Sequence, residues 1–551
     1  EIHWRDWSSD VCSSDLNQVP PLVDHNPADS PVLIEALVRE GGQWGVDEVT
    51  ELGAISGSAT AQRWGDLADR NRPVLHTHDR YGHRVDEIEY DPAYHELMTV
   101  AVGHGLHAAP WADDRPGAHV VRAAKNSVWT VEPGHLCPIS MTYAVVPALR
   151  FNPDLAAIYE PLLTSRVYDP ELAVPATKPG ITAGMSMTEK QGGSDVRAGT
   201  TQAVPNGDGS YSLTGHKWFT SAAMSDIFLV LAQAPGGLSC FLLPRVLPDG
   251  TRNRMFIQRL KDKLGNHGNA SSEVEYDGAV AWLVGEEGRG VPTIIEMVNL
   301  TRLDCTLGSA TSMRNGLSRA VHHTQYRKAF GAKLIDQPLM RNVLADMAVE
   351  AEAATMLAMR MAGATDRAVR GDDREALLRR IGLAAGKYWV CKRATAHAAE
   401  AMECFGGNGY AEESGMPRLF REAPLMGIWE GSGNVSALDT LRAIATRPEC
   451  VDVLFDELAA PAGQDPRLAL RLDALKVALG DVETLEYRAR KVAEDISLAL
   501  QGGLLIQHGD PAVAEAFLAT RYDGRWGGAY GTLPTGLDVA PILDRALASH
   551  R

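Results

Sequence analysis

The chain changes its hydrophobic rhythm twice, and this double change limits what it can fold into. Before about residue 180 and after about residue 296, apolar residues recur at helical spacing. Between about 181 and 295 the chain is cut into short β-rich pieces separated by turn residues. "GSYSLTGHKWFTS", "DIFLVLAQA", "LSCFLLPR" and "ASSEVEYDGAVAWLV" read as strands, and "APGG" at 234–237 connects two of them. The pattern predicts a mainly α protein with a small central β-domain inserted. At 551 residues the chain is too long for one ordinary domain.

The helical parts carry their own punctuation. In "DSPVLIEALVREGG", Ser30 stands as N-cap, Pro31 at the first helical position and Gly41 just past the end, with Leu33, Ala36 and Leu37 on one face. "RNGLSRAVHHTQYRKAF", "LMRNVLADMAVEAEAATMLAMRMAGA" and "REALLRRIGLAAGKYWVCKRATAHAAEAMECFGG" predict long helices. With the helix after Asn434 they would make a four-helix bundle, and Gly406-Gly407 would end the third in a left-handed cap. The expected domains are helical over 17–180, β over 181–295, a four-helix bundle over 296–446 and a helical extension over 447–551. Residues 1–16, "EIHWRDWSSDVCSSDL", contain no apolar signal-peptide core and are read as a non-native leader.

Composition excludes several classes. A formal net charge of -17 makes a generic polyanion binder a poor expectation. Seven scattered Cys without a CxxC pair predict a reduced, cytoplasmic protein with neither a zinc site nor a disulfide framework. No apolar run is long enough to span a membrane. His104 and His107 are three apart, but no third metal ligand stands near them, so no metal is expected.

Two stretches carry chemistry. In "APLMGIWEGSGNVSALD" a single acid, Glu430, stands between a Trp and a Gly-Ser-Gly turn. It is either a surface acid or a base whose pKa is set by a dry pocket. In "MSMTEKQGGSDVRAG", Thr188, Gly192, Gly193 and Ser194 offer hydroxyls and unhindered N–H groups. These suit a polar loop, or the close approach of a pyrophosphate or a flavin ring. The stretch is neither a Walker loop nor GxGxxG.

These stretches fall in an ordered set with "GHKWFTSA", "RLKDKLGNHGNASSEVEY", "GEEGRGVPTIIEMVNLTRLD", "QYRKAFGAKLIDQPLM" and "ECFGGNGYAEESGMPRLFREAP". The set resembles the acyl-CoA dehydrogenase family. "GHLCPISMTYAVVPAL" and "LSCFLLPRVLPDGTRN" are similar to its AidB branch, flavoproteins of the adaptive response to DNA alkylation. The resemblance runs from about Asn17 to near the C-terminus. It implies a helical N-domain, a β-barrel, a C-terminal four-helix bundle and an extra helical region, with FAD between barrel and bundle. It places Met187, Thr188, Gly193 and Ser194 along the flavin, with Trp218 and Thr220 flanking the ring. Arg327, Phe330 and Gln337 would reach the FAD of a neighbouring subunit, and Gly406, Gly407 and Gly409 would let backbone approach it. A cofactor shared in this way implies a homotetramer.

Glu430 matches the family's catalytic base, which removes the α-proton of an acyl thioester as hydride leaves the β-carbon for flavin N5. Thr301 occupies the position where other members carry the base, and Arg302, Asp304 and Trp429 would line the substrate pocket. The implied substrate is a short or branched acyl-CoA of the isovaleryl type, with an electron acceptor of unknown identity. The alternative is a DNA-binding protein with vestigial catalysis. Arg442 and Arg521 match basic positions linked to double-stranded DNA in that branch, and Arg488, Arg490 and Lys491 form a further basic cluster. Against this, 441–551 carries twelve basic and sixteen acidic residues, whereas phosphate-driven binding wants converging cations. A third reading is a helical scaffold that has lost FAD.

Overall fold

The computed structural model describes residues 17–129 and 131–548; the leader 1–16 and Cys12 lie outside the described residues. The N-terminal helices are α1 (Pro31–Arg39), α2 (Val46–Gly57), α3 (Ala59–Arg70), α4 (Pro92–Gly103), α5 (Ala118–Val128), α6 (Leu136–Leu149) and α7 (Pro153–Leu163). Several begin with an Asx cap followed by Pro: Asp91 accepts from Ala93 N, and Asn152 from Leu155 N. Ser30 does stand at the N-cap of α1, but its hydroxyl makes no capping bond there.

A β-hairpin interrupts this helical region: β1 (Val74–His78) pairs antiparallel with β2 (Arg84–Glu89). The helical reading of the sequence overlooked it. "VLHTH" is mostly exposed, so it lacks the apolar alternation that signals a half-buried strand. Leu75 and Ile88 pack onto the barrel core.

The barrel comprises β3 (Ala183–Ser186), β4 (Gln202–Pro205), β5 (Ser210–Thr220), β6 (Ile227–Ala234), β7 (Gly237–Pro244), β8 (Met255–Leu260) and β9 (Ser272–Val284). The pairings β6–β4–β5–β9–β7–β6 form a closed ring, with β3 parallel to β6 outside it and β8 on β9. Closure removes the exposed edges that a short antiparallel sheet would otherwise present. Leu213, Phe228, Phe241, Ile257 and Val274 fill the interior.

Three long helices follow: α8 (Gly290–Tyr326), α9 (Pro338–Val369) and α10 (Asp373–Glu403). Between the first two lies a two-residue-per-strand hairpin, β10 (Lys328–Ala329) and β11 (Ala332–Lys333). Next come α11 (Met416–Met426), α12 (Gly433–Thr446), α13 (Glu449–Gln464), α14 (Pro466–Gly480), α15 (Ala489–His508), α16 (Pro511–Phe517) and α17 (Ala540–Ala548). Every residue of α9 from Leu344 to Asp366 is buried. A helix covered on all sides is a central one, and α1, α5, α8, α10, α15, α16 and α17 all pack against it. The C-terminal helices therefore share one continuous core with the N-terminal ones.

Candidate active site

Glu430 lies in the turn between α11 and α12, with a backbone φ of 55°. A left-handed conformation costs a non-glycine residue roughly 1–2 kcal/mol and persists only where the surroundings impose it. Here two buried cations do so. Lys387 of α10 donates from Nζ to the carbonyl of Trp429 at 2.8 Å and to that of Gly431 at 2.5 Å. Arg302 of α8 donates from Nε to the Glu430 carbonyl at 3.0 Å. Three successive carbonyls are thus captured. Arg302 also pairs at 2.7 Å with Asp439 of α12, which Arg380 and Arg442 grip as well. Gly431 is itself left-handed at φ 100°, and a Cβ there would come within 2.8 Å of Val435.

The clamp holds the backbone and does not touch the Glu430 carboxyl. Its Oε2 is buried and has no hydrogen-bond partner. Burial raises its pKa above the ordinary carboxylate value; the Thr301 hydroxyl and the charges of Arg302 and Lys387 act in the opposite direction. Two buried thiols lie within reach of the Glu430 charge. Burial pushes Cys137 up to about 12 and Cys305 well above its usual value, and the Glu430 charge adds to both shifts. Neither is a thiolate at neutral pH, so neither competes as a nucleophile. Trp429 and Met187 both pack against the apolar cluster that contains Met297 and Leu300, so the Glu430 turn and the loop after β3 border one core.

That loop is held from below. The buried Glu189 carboxylate accepts from Lys217 Nζ at 2.7 Å and from the N–H groups of Thr200 and Thr201 at 2.6 and 3.1 Å. Burial opposes its ionisation, but Lys217 and these donors outweigh burial and hold its pKa far below the usual range. Thr188 accepts from Trp218 N at 2.7 Å, and a Cβ on Gly193 would meet the Thr188 hydroxyl at 2.5 Å. The β5–β9 register breaks between Lys217 and Thr220, which frees Trp218 and Phe219 from the ladder. Lys261 Nζ sits 3.4 Å above the Trp218 ring. Ser194 is exposed.

A second group gathers at the other end of α8. Arg327 follows that helix and donates to the Asn17 carbonyl at 2.6 Å. Phe330, at the tip of the β10–β11 hairpin, has φ 52° and is 99% exposed. Gln337 stands at the N-cap of α9 and donates to Ala329 O at 3.2 Å. His323 stacks on Phe405 at 4.3 Å, which brings the turn after α10 alongside. Gly406 there is left-handed at φ 59°, and a Cβ on Gly406 or Gly407 would meet nothing within 4 Å. From Arg302 to Arg327 the rise of α8 spans about 37 Å.

Several sequence-derived assignments change. Asp304 does not face the Glu430 pocket; Arg122 of α5 holds both its oxygens, one at 2.8 Å. Thr220 turns its hydroxyl inward onto Ser186 rather than toward the loop. Gly409 serves packing within its own turn, because a Cβ would collide with Met402 O at 2.1 Å. Arg302 spends its guanidinium on the Glu430 turn and Asp439 instead of a substrate. Arg521 is no surface cation: its side chain is 1% exposed and pairs with Asp346 at 2.7 Å and Glu350 at 3.0 Å. Arg442 is exposed but tied to Asp439 at 3.2 Å, and Arg490 and Lys491 are engaged by Asn434, Glu494 and Asp495. Buried His107 bonds the Ser165 carbonyl at 2.7 Å, and its pKa falls to about 4. Among the described residues no cluster of His, Cys, Asp or Glu could hold a metal ion, and no helix is long and apolar enough to cross a membrane.

Sequence reading missed Lys387. Its signal was present: one Lys inside "IGLAAGKYWVC", a run otherwise apolar enough to be interior.

Comparison with known proteins agrees with this architecture. Residues 17–170 match the adaptive response protein AidB N-terminal domain, 184–279 the acyl-CoA dehydrogenase middle domain and 288–445 its C-terminal domain. AidB of Escherichia coli (strain K12) is 44% identical over 533 residues, covering 96% of each chain. The crystal structure of Caenorhabditis elegans ACDH-11 in complex with C11-CoA superposes with a TM-score of 0.83 at 29% identity, covering 93% of both chains. A Bacillus anthracis acyl-CoA dehydrogenase solved with FAD shares the fold at a TM-score of 0.63 and 19% identity, over 83% of this chain and 82% of that one. Three domain matches in family order and a relative similar from end to end leave one assignment: the chain belongs to the acyl-CoA dehydrogenase family, in its AidB branch.

Proposed function

We propose that the protein is an FAD-dependent acyl-CoA dehydrogenase in which Glu430 is the catalytic base. The observation that carries this reading is Oε2 of Glu430, buried and unpartnered, on a turn whose three successive carbonyls are clamped. A base positioned in this way needs no reorganisation before it takes a proton. Its raised pKa makes it a stronger acceptor than a solvated carboxylate.

The residues present fit FAD. Met187, Thr188, Gly193 and Trp218 would hold the ring end, with Gly193 small enough for backbone to approach. FAD, when bound, would accept the β-hydride. Arg327, Phe330, Gln337, Gly406 and Gly407 lie too far along α8 to touch that same ring end. An almost fully exposed Phe at φ 52° has no use within one chain. Both points favour a cofactor shared with a second copy, the pairing that the expected homotetramer would contain. The relative solved with C11-CoA supports an acyl-CoA ligand. A short or branched acyl-CoA, isovaleryl-CoA first, is the substrate to test. The DNA-binding alternative is weakened because Arg521, one of its two named cations, is committed to two buried carboxylates.

The test is anaerobic titration of the oxidised protein with isovaleryl-CoA and with longer esters, following the flavin band. Bleaching by one of them, lost in Glu430→Gln, is expected. A yellow protein that no acyl-CoA bleaches would overturn the dehydrogenase reading.

A further inference from the structure

Two stretches of the surface hold large apolar side chains in solvent and have no use for them within one chain. The first is the β10–β11 hairpin with its flanks. Phe330 stands at the tip, and Tyr326 before it and Leu339 after it are exposed as well. From 326 to 341 the chain carries Arg327, Lys328, Lys333 and Arg341 against one acid, Asp336, although the whole chain has a net charge of -17. Lys328 and Lys333 are exposed, and neither has an ion pair among the described residues. They also stand directly opposite each other in the hairpin register, where like charges are destabilising. The hairpin therefore calls for an acidic, apolar partner.

The second stretch is α14 with the loop that joins it to α15. Leu468, Leu472 and Leu475 form the buried face of α14. Leu470 and Val477, seven residues apart, share its exposed face. In the loop, Val482 is exposed and Tyr487 is 95% exposed. The loop is held rigidly all the same. Arg488 donates to Thr484 Oγ1 at 2.7 Å, to Asp481 O at 2.9 Å and to Ala478 O at 3.0 Å, and Leu485 packs on the core. A surface fixed before contact loses little entropy on binding. The nearby cations are already engaged: Arg488 by Asp481, Arg490 by Asn434 Oδ1, and Lys491 by Glu494 and Asp495. Glu483 and Glu486 remain, exposed and without an ion pair among the described residues.

The two surfaces are complementary but cannot meet within one chain. The 2.7 Å bond from Arg490 to Asn434, four residues after Glu430, sets the loop beside the Glu430 turn. The hairpin lies at the far end of α8, about 37 Å beyond the Arg302 that holds that turn. Between two copies related by a two-fold axis, each hairpin can face the other copy's loop, and the same contact forms twice. We propose that the α14–α15 loop receives the Phe330 hairpin of a second copy, with Phe330 against Val482 and Tyr487 and with Lys328 and Lys333 facing Glu483 and Glu486. The inference rests on the reading of a cofactor shared between copies and names the surface that brings them together. A hairpin docked on this loop carries Arg327 to the chain that holds the flavin ring. The C-terminal extension then has a purpose, which is to build the receiving face.

The experiment is sedimentation velocity of the holoprotein over a dilution series, with flavin absorbance recorded in the same cell. Glu483→Lys together with Glu486→Lys should raise the dissociation constant between copies about tenfold or more, because cation then meets cation. Lys328→Glu together with Lys333→Glu should do the same. All four changes in one chain restore opposite charges and should return the constant to within about threefold of the parent. Tyr487→Ala should weaken assembly about tenfold. Circular dichroism of every variant should match the parent, since all of these side chains are exposed. A parent that sediments as a single chain overturns the proposal. Undiminished assembly of the Glu483, Glu486 variant overturns it too, as does a four-site variant that associates no better than either pair alone. Flavin absorbance keeps the two readings apart. A variant that dissociates as expected yet stays yellow would lose the shared cofactor and keep this interface.

Discussion

Lys387 and Glu430 meet through backbone rather than through a salt bridge: the ammonium of Lys387 holds the carbonyls on either side of Glu430 and leaves the carboxyl alone. A direct ion pair would lower the basicity of Glu430 and block its approach to a substrate. Capture of the carbonyls fixes the position of the acid at a smaller cost in pKa. Lys387→Met should therefore slow flavin reduction by acyl-CoA about 100-fold, the scale expected of a displaced base. It should also destabilise the fold by about 2–4 kcal/mol, because two buried carbonyls lose their donor. Since the Lys387 charge lowers the Glu430 pKa, the pH profile of reduction should also move upward. Stopped-flow reduction across pH checks all of this, and an unchanged rate would remove Lys387 as a positioning residue.

Glu430→Gln should keep flavin and fold while reduction falls by about 10²–10⁴-fold, the usual share of a general base. The stability sign also follows. A carboxyl raised above its unfolded pKa holds its proton longer when native, so it costs stability as pH rises past the unfolded value of about 4.5. The melting temperature of the Gln variant should thus gain on the parent as pH climbs from 5 to 8. A constant difference between the two would mean that Glu430 is not desolvated in solution.

Glu430 was legible in the sequence because an isolated acid in an apolar, Gly-rich stretch has few explanations. The barrel was legible because a change of period needs no partner to be seen. The rest depended on tertiary pairing. Nothing local distinguishes Asp304, which Arg122 holds from another helix, from an acid facing a pocket. Arg521 looks like a surface cation until Asp346 and Glu350, distant in the chain, close around it. Lys387 and Glu422 gain their meaning only from what three other elements place beside them, and the β1–β2 hairpin hides because most of its residues stay in solvent.

Glu422 offers a sharper pH test, because burial and neighbouring acids raise it from 4.5 to about 7. At pH 8 that costs the native state about 3 kcal/mol, a penalty that vanishes below the unfolded pKa. Glu422→Gln, which keeps shape and hydrogen bonding, should be more stable than the parent at pH 8 and converge with it by pH 4.5. Chemical denaturation at the two ends of that range decides the matter. A Gln variant that is less stable at pH 8 would show that the carboxylate is compensated by a group beside it.

Arg521→Ala should act on the fold and not selectively on DNA. It leaves Asp346 and Glu350 buried without their cation, a loss of about 3–5 kcal/mol. Arg442→Ala, at an exposed site, should cost less than about 1 kcal/mol. If duplex binding is measured at low salt, a defect in the Arg521 variant counts only at temperatures where its circular dichroism matches the parent. A fully stable Arg521→Ala protein would contradict the buried pairing.

The exposed tip of the β10–β11 hairpin gives the last prediction. Phe330 at the hairpin tip and Tyr410 in the turn after α10 are 99% and 83% exposed. Large aromatics this open are expensive in water unless something covers them, and burial of one is worth about 1.5–3 kcal/mol. If a second copy covers them and its cofactor reaches Arg327 and Gly406, then Phe330→Asp should lower both assembly and flavin content, since a shared cofactor is lost with the interface. Light scattering should show a smaller species, and absorbance at the flavin band should fall in proportion. A variant that stays fully assembled and fully yellow would place the cofactor within one chain and leave Phe330 to another partner. A variant that comes apart yet keeps its flavin would separate the interface from the cofactor, and would locate the adenine end of FAD away from the Gly406 turn.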